Sequence, residues 1–210
     1  MSLRVGQLFE NPCTGERGIV RIAPDDSNSR LLVVDLYARP GAAVVGEHVH
    51  PGMSESFTVV TGRLRVKRGG REDVALPGAR LTVPAGVTHD WWNAGEEEAH
   101  VIVEVHPGDR FEQMIRHFFF LAQDGRTNAK GMPPPWVAVL LAKEFDDTIR
   151  LTHPPRWVQV LAAAVLAPVA RVIGRGVLSP EYLSRDVPVV GLADLPSSII
   201  ELIPALHSAD

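Results

Sequence analysis

The stretch Glu47-His48-Val49-His50-Pro51-Gly52-Met53-Ser54-Glu55 carries two histidines at alternate positions and a carboxylate five residues after the second one. Side chains at positions i and i+2 of a β-strand point to the same face, roughly 6–7 Å apart along it. Two imidazoles at that spacing can bind one metal ion, with nitrogen–metal distances of about 2.0–2.2 Å. The short turn after His50 predicts that Glu55 lies on the next strand of a hairpin and faces the same pocket.

A third histidine, His89, closes the turn Pro84-Ala85-Gly86-Val87-Thr88-His89 further along the chain. A lone histidine in a strand is more often a structural residue than a metal ligand, and the proline and glycine alone would indicate only a turn. Together with His48, His50 and Glu55, however, His89 completes a set of four metal-binding side chains. The sequence therefore predicts one site for a divalent transition metal. The remaining histidines are assigned no ligand role; they are His100, His106, His117, His153 and His207.

Both segments resemble the two motifs of the cupin superfamily. Residues Gly41–Gly62 resemble the first motif, with the departure that Gly41 lies one residue further from His48 than is usual, and Gly78–Asn93 match the second motif at its fixed positions. The resemblance covers about residues 16–107 and does not identify a particular cupin. It implies an antiparallel β-barrel of the double-stranded β-helix or jelly-roll type, with His48, His50, Glu55 and His89 as its metal ligands.

Strand alternation also predicts which residues surround the ligands. Trp91 and Asn93 share the face of His89, and Phe57 and Val59 share the face of Glu55. These four residues predict a largely apolar pocket for a small organic ligand. For Phe57 and Trp91, a plain core role is an equal alternative.

No acid–base residue emerges from the same pattern. In the strand predicted over residues 31–38, Asp35 and Tyr37 alternate with apolar residues, so we expect both to point out of the barrel. By the same reasoning Glu104 points outward and its neighbours Val103 and Val105 point inward. A second catalytic residue cannot be named from these patterns.

The hydrophobic periodicity changes near Pro107-Gly108. Before this point, short β-rich runs alternate with turn residues, whereas afterwards apolar residues recur at helical spacing from Phe111 to Ala122. Three proline-rich starts predict further helices: one to about Phe145, one over residues 156–174 and a short one from Ser179-Pro180. We thus expect a barrel domain over residues 1–107 and a helical C-terminal extension over residues 108–210, with a mixed tail from residue 186.

The helix predicted over residues 156–174 is unusually apolar. Between Arg156 and Arg171 the only strongly polar residue is Gln159, so a membrane-surface anchor is one interpretation. Fourteen residues span only about 21 Å as a helix, short of the roughly 30 Å hydrocarbon core of a bilayer. Pro168 is also expected to kink or end the helix. We therefore expect this helix to pack on the barrel or on a partner subunit, and the apolar surface of the extension predicts a homodimer.

Composition narrows the class of protein. The 210 residues are 45% hydrophobic and 22% charged, with a net charge of −4, and no Lys/Arg cluster favours nucleic acid as a partner. Cys13 is the only cysteine, and the first residues lack the apolar core of a signal peptide. These features predict a cytoplasmic protein without a transmembrane segment.

Three classes of function remain open at this point. The favoured one is a metal-dependent enzyme that acts on a small organic substrate with dioxygenase-type chemistry, or alternatively as an isomerase or lyase with the metal as Lewis acid. The second is a non-enzymatic module that binds a metal and a small molecule, and the third is a structural metal site. Three imidazoles and one carboxylate suit Fe, Mn, Ni, Cu or Zn, so the sequence does not select the metal.

Overall fold

Two antiparallel β-sheets face each other in the computed structural model, which describes residues 3–24, 30–42, 46–173 and 180–207. The six-stranded sheet has the order β1-β2-β3-β10-β5-β8, and the five-stranded sheet has the order β11-β4-β9-β6-β7. The strands are β1 (Leu8–Asn11), β2 (Glu16–Ile22), β3 (Leu32–Ala38), β4 (His48–Val49), β5 (Ser54–Thr61), β6 (Leu64–Arg68), β7 (Arg71–Ala75), β8 (Arg80–Val83), β9 (His89–Asn93), β10 (Ala99–His106) and β11 (Arg150–Leu151). The expected mainly-β barrel with helices in its C-terminal region is confirmed.

Helices follow the last long strand, where the change in periodicity predicted them. They are α1 (Asp109–Gln123), α2 (Pro135–Glu144), α3 (Arg156–Ile173), α4 (Pro180–Ser184), α5 (Ser197–Ile200) and a 3-10 turn (Pro204–Leu206). The helical region is interrupted by the short strand β11, which pairs with β4. No helix among the described residues is long and apolar enough to cross a membrane.

The inner faces of the sheets form the main apolar core, as the alternation in the strands predicted. Val103 and Val105 of β10 and Leu32 of β3 point inward, where they pack with Phe57 and Trp91. Helix α1 lies along β1 and adds its own apolar side chains to this core, including the buried Met114 and Phe120. The C-terminal region is therefore part of the same packed interior as the barrel.

The outer face of β3, to which binary patterning assigned Asp35 and Tyr37, is covered by another part of the chain. Asp35 is 0% exposed, and Glu104 on the neighbouring strand is buried and paired with Arg80. The reason is a second apolar cluster outside the sheet, in which Val33 and Ile102 pack with Ile199 and Ile203 of the tail. A strand pattern records which face is more polar, but it does not record that a distant segment covers that face.

Arg21 and His100 stabilise the buried carboxylate of Asp35. The Arg21 guanidinium donates two hydrogen bonds to its carboxylate at 2.8 and 2.9 Å, and His100 Nε2 lies 2.7 Å from Asp35 Oδ1. Burial alone would raise the pKa of Asp35, but the bonds to His100 and Arg21 outweigh it and lower the pKa below its ordinary value. Arg21 also donates to the carbonyl of Ala193, so the same group ties the tail to the sheet. Tyr37, half-buried, stacks on His100.

Within the single chain, helix α3 packs mainly against α2 and not against the barrel, which was one of its two expected packing partners. It also continues past Pro168 to Ile173 and does not end at the proline. Four apolar side chains along one side of α3 are exposed in the single chain. They are Trp157 (71%), Val160 (54%), Leu161 (58%) and Val165 (63%).

Candidate metal centre

Two neighbouring strands of the five-stranded sheet bring the three histidines together. His48 on β4 pairs directly with His89 on β9, and their ring centroids are 4.3 Å apart. His50 follows β4 immediately, with its ring centroid 4.8 Å from that of His48 and 5.1 Å from that of His89. The backbone N–H of Gly86 donates to the His50 carbonyl at 2.8 Å, and Gly86 has φ +78°, a conformation that glycine adopts without strain. The turn before His89 is thus joined to the end of β4.

Glu55 reaches the same point from the opposite sheet. The expected hairpin is wrong, because β4 pairs with β9 and β11, whereas β5 pairs with β10 and β8. The turn over residues 51–53 instead carries the chain from one sheet to the other. Glu55 Oε2 lies 3.0 Å from His89 Nε2 and 3.7 Å from His50 Nε2. The four side chains therefore converge from both layers of the barrel.

Backbone carbonyls orient all three imidazole rings. The Nδ1 atoms of His48, His50 and His89 lie 2.8, 2.6 and 3.1 Å from the carbonyl oxygens of Gly46, Thr148 and Val87. A carbonyl can only accept, so each Nδ1 carries a hydrogen and each Nε2 is left with its lone pair when the ring is neutral. Such bonds fix the tautomer of metal-binding histidines. All three rings present Nε2 as the ligand atom.

The donor set fits a metal ion. One ligand atom from each of His48, His50, Glu55 and His89 lies within 4.8 Å of the others, and all four residues are buried. His50 Nε2 is a buried nitrogen without a hydrogen-bond partner. Buried polar atoms are seldom left without a partner, and a bound cation would supply one.

The charges at the centre also fit a cation. Burial, together with the neighbouring His89 and His50, lowers the pKa of His48 to about 3, so its ring is neutral at physiological pH. Burial alone would raise the pKa of Glu55, but His50 and His89 outweigh it and hold that pKa well below its ordinary value. Glu55 and His48 thus have the protonation states that metal binding requires. Burial alone would lower the pKa of His89, but the hydrogen bond to Glu55 outweighs it and raises that pKa, so a cation competes with a proton at this ring.

An apolar cavity of about 120 Å³ opens beside these ligands, and Phe57 and Trp91 contribute to its wall. Val59 and Asn93, which the alternation also placed there, do not line it. Val59 is fully buried in the core, and the Asn93 amide donates to the carbonyls of Ala38 and Glu97 at 2.8 Å each, at another place in the barrel. Strand alternation gives the direction of a side chain but not its position along the barrel axis, so it does not decide which of these residues reach the cavity.

Helix α1 and the loop after α2 supply site residues that the sequence did not reveal. Phe111, Glu112, Met114, Ile115 and Phe119 of α1 line the cavity. The Phe111 ring centroid is 6.0 Å from that of His50. The periodicity of α1 predicted an apolar face, but nothing local indicated that this face covers the cavity. The Thr148 carbonyl, 98 residues from His50, had no sequence signal because every residue carries a carbonyl.

The other five histidines do not belong to the four-residue ligand cluster found among the described residues. His100 bonds to Asp35, and His117 Nδ1 lies 2.7 Å from the Gln113 carbonyl. His100 and His117 thus have structural partners, as expected for histidines outside the motif.

Two facing antiparallel sheets that bring three histidines and a glutamate together define a cupin-type fold with a candidate metal site. Residues 36–106 match the family model described as the cupin domain. Residues 36–106 are therefore a cupin domain, as the two motifs predicted.

Individual proteins resemble this chain over half of its length or less. The polyketide synthase CurC of Streptomyces cyaneus is 35% identical over 69 residues, which are 33% of this chain and 44% of that protein. The match thus spans less than half of the relative's length. Among solved structures, KdgF from Halomonas sp. is 21% identical, with a TM-score of 0.40 over 46% of this chain and 83% of that chain. A predicted oxalate decarboxylase from Thermotoga maritima is 17% identical, with a TM-score of 0.43 over 50% of this chain and 97% of that chain. At these TM-scores the two structures say nothing about the activity of this chain.

Proposed function

We propose that this protein is a metal-dependent cupin enzyme that acts on a small, largely apolar organic molecule, with dioxygenase-type chemistry as the reaction to test first. The observation that supports this proposal is the position of the ligands. Three imidazole Nε2 atoms and one carboxylate meet at the wall of a cavity that is otherwise lined mostly by apolar side chains. A structural metal site has no need of an adjoining cavity, whereas a catalytic site requires one.

His48, His50, Glu55 and His89 would hold one divalent ion of Fe, Mn, Ni, Cu or Zn. Four protein ligands saturate a tetrahedral zinc, but they leave two positions open on a six-coordinate ion. When bound, such an ion supplies Lewis acidity or the ability to bind dioxygen. The neutral His48 and the ionised Glu55 are ready to bind the ion without first losing a proton.

The remaining residues of the cavity bind the substrate and exclude water. Phe57 and Trp91 form part of its wall within the barrel, and Phe111 covers it from α1. An apolar enclosure strengthens electrostatic interactions between the centre and a bound polar group. It also disfavours hydrated substrates such as free sugar phosphates. The name of the CurC relative adds polyketide-derived molecules to the compounds that we would test.

We also propose that two chains associate and that the protein acts in the cytoplasm. The exposed apolar side of α3, defined by Trp157, Val160, Leu161 and Val165, supports a homodimer because monomers seldom expose such patches. The lone Cys13 is compatible with a reducing compartment. In this proposal residues 1–107 are the barrel domain, and residues 108–210 are an extension that completes the site.

Elemental analysis of untagged protein, followed by O₂-uptake assays with the metal found, tests the proposed function. We expect one equivalent of metal and substrate-dependent O₂ consumption that is lost in His89→Ala. Conversion of substrate without O₂ consumption would favour isomerase or lyase chemistry instead. Tight binding without conversion would favour a binding module. Metal that stabilises the fold while the cavity binds no organic molecule would indicate a structural site.

A further inference from the structure

Glu16 is a buried carboxyl group in the wall of the metal cavity. It begins β2 and is 5% exposed. Glu16, Gly18 and Val20 occupy alternate positions on the strand and all line the cavity that also contains His48, His50 and Glu55. Gly18 carries no side chain, and a Cβ there would lie 3.2 Å from Val34 Cγ1. The glycine thus leaves the space beside Glu16 free.

The carboxyl group has little compensation for its burial. Its one described hydrogen bond is from the Thr14 hydroxyl to Oε2, at 2.7 Å. Among the residues that the structure describes, no cation forms an ion pair with it, and the Thr14 bond is the one interaction that lowers its pKa. Burial raises the pKa of Glu16 to about 7, because it outweighs the Thr14 hydrogen bond, which alone would lower the pKa. A substantial fraction of the group is therefore protonated near neutral pH, and in that form the carboxyl can donate as well as accept a hydrogen bond.

Glu16 and the metal centre lie on different strands of the barrel. Glu55 is on β5, and two strands, β3 and β10, lie between β5 and β2 in the sheet. The wall between them is apolar and includes Val34, Leu36 and Val103. Glu16 also borders a smaller neighbouring cavity with Asn11, Thr14 and Lys130. One cavity thus offers a metal-binding end, an apolar middle and the carboxyl group of Glu16, whereas Glu112 of α1 in the same wall is paired with Arg116.

We propose that Glu16 anchors the far end of the ligand, so that the substrate class is an elongated apolar molecule with one oxygen group for the metal and a second polar group for Glu16. This inference rests on the proposed function, because it assumes that the ligand reaches the metal. A buried carboxyl group without an ionic partner destabilises the fold. A bound ligand would supply a hydrogen-bond partner for Glu16, because this residue lies in the wall of the cavity. A site that bonds a ligand hydroxyl discriminates strongly against the analogue that lacks it.

The test uses saturated carboxylic acids of about six to twelve carbons and the matching ω-hydroxy acids as probes of cavity length. Calorimetry measures both dissociation constants at each chain length for the metal-loaded protein. In both series we expect the carboxylate of the acid to bind the metal, and in the hydroxy acids we expect the ω-hydroxyl group to reach Glu16. The preference is the ratio of the two dissociation constants, and we compare it at the chain length where it is largest in the original protein. There we expect Glu16→Leu to reduce the preference for the hydroxy acid by about ten-fold. Glu16→Gln should reduce it less, because its amide can still form a hydrogen bond with the hydroxyl group. Glu10→Gln, an exposed glutamate on β1, is the matched control and should change nothing.

Two results would overturn the anchor role. One is an equal preference in the original protein and both Glu16 variants at every chain length. The other is a hydroxy acid that binds the metal-loaded original protein no more tightly than the saturated acid of the same length, at every length. Failure of the proposed function is seen separately, since the protein then takes up no metal, or it holds its metal but binds neither series. If Glu16→Leu does not fold, Glu16→Gln and Thr14→Val carry the comparison.

Discussion

The His50 ring is held by the Thr148 carbonyl, with 2.6 Å between His50 Nδ1 and the Thr148 oxygen, although the two residues are 98 positions apart. A ligand of the barrel is thus oriented by the C-terminal extension. Beside this contact, β11 pairs with β4, so that Leu151 lies opposite His48. The extension is therefore a part of the metal centre as well as a cover for the cavity.

Removal of a ligand should abolish metal binding. We expect His48→Ala or His89→Ala to reduce metal from one equivalent to a trace, since each supplies one of the four ligand atoms. His117→Ala is the control, because His117 is equally buried but lies outside the cluster. Elemental analysis after anaerobic reconstitution measures the result. If the unmodified protein takes up no Fe, Mn, Ni, Cu or Zn, the metal centre is refuted.

Disturbing the loop that carries Thr148 should weaken metal binding from a distance. Phe145 is 1% exposed, and its carbonyl accepts the backbone N–H groups of Thr148 and Ile149. Phe145→Ala keeps both backbone carbonyls but removes the buried ring that anchors the start of this loop, so we expect the Thr148 carbonyl to shift away from His50. Metal affinity should then fall by about 10–100-fold, the usual effect of losing a partner of a metal-binding histidine. Phe120→Ala, a comparable cavity elsewhere in the core, is the control for the loss of about 3–5 kcal/mol of stability. Equal affinity in both variants, measured by chelator competition, would contradict the role of the loop.

Asp35 should stabilise the fold above acidic pH. Its pKa is lowered in the folded protein, so its contribution is present above the ordinary value of 3.8 and is lost as the pH falls through the lower folded value. We expect Asp35→Asn to reduce the free energy of unfolding at neutral pH by about 3 kcal/mol. The variant should also lose less stability on acidification. Denaturant titrations at several pH values measure both effects, and Glu98→Gln, in a half-exposed pair with Arg17, should change little.

Glu16 should have the opposite pH dependence. Its pKa rises from 4.5 to about 7 on folding, so the folded state loses stability as the pH increases through this window. Glu16→Gln should remove this loss, on the order of 3 kcal/mol between pH 4 and 8. Comparison of unfolding free energies at the two pH values, with Glu10→Gln as control, measures it. If the free energy of unfolding of Glu16→Gln changes with pH as much as that of the original protein, burial of Glu16 does not raise its pKa and the prediction is wrong.

A charge on the exposed side of α3 should separate the proposed dimer. Leu161 is 58% exposed in the single chain, and burial of a glutamate at this position in an interface is unfavourable. Light scattering after size exclusion should give about twice 22.9 kDa for the original protein and 22.9 kDa for Leu161→Glu. Val74→Glu, at an exposed valine of β7, is the control and should remain dimeric. A mass near 22.9 kDa for the unmodified protein at micromolar concentration would refute the dimer.

The amino-acid sequence by itself determined the barrel, the four residues of the candidate metal site and the change to helices near residue 107. These features depend on local rules: the alternation of side chains along a strand, the spacing of residues in a motif and the period of a helix. His48 and His50 illustrate this, because their common face follows from two positions of separation. The inward direction of Val103 and Val105 was accessible for the same reason.

Only the tertiary structure decided which surfaces are covered and which distant groups meet. Asp35 is buried because the tail packs on a face that its strand pattern marked as polar, and Glu55 faces His89 from the opposite sheet and not from a hairpin. Thr148 contributes a carbonyl, which no residue type reveals, and Glu16 of β2 lines the same cavity as His48 and Glu55. Contacts of this kind join segments far apart in the chain. Their geometry follows from how the sheets, helices and tail pack together, and local periodicity carries no record of that packing.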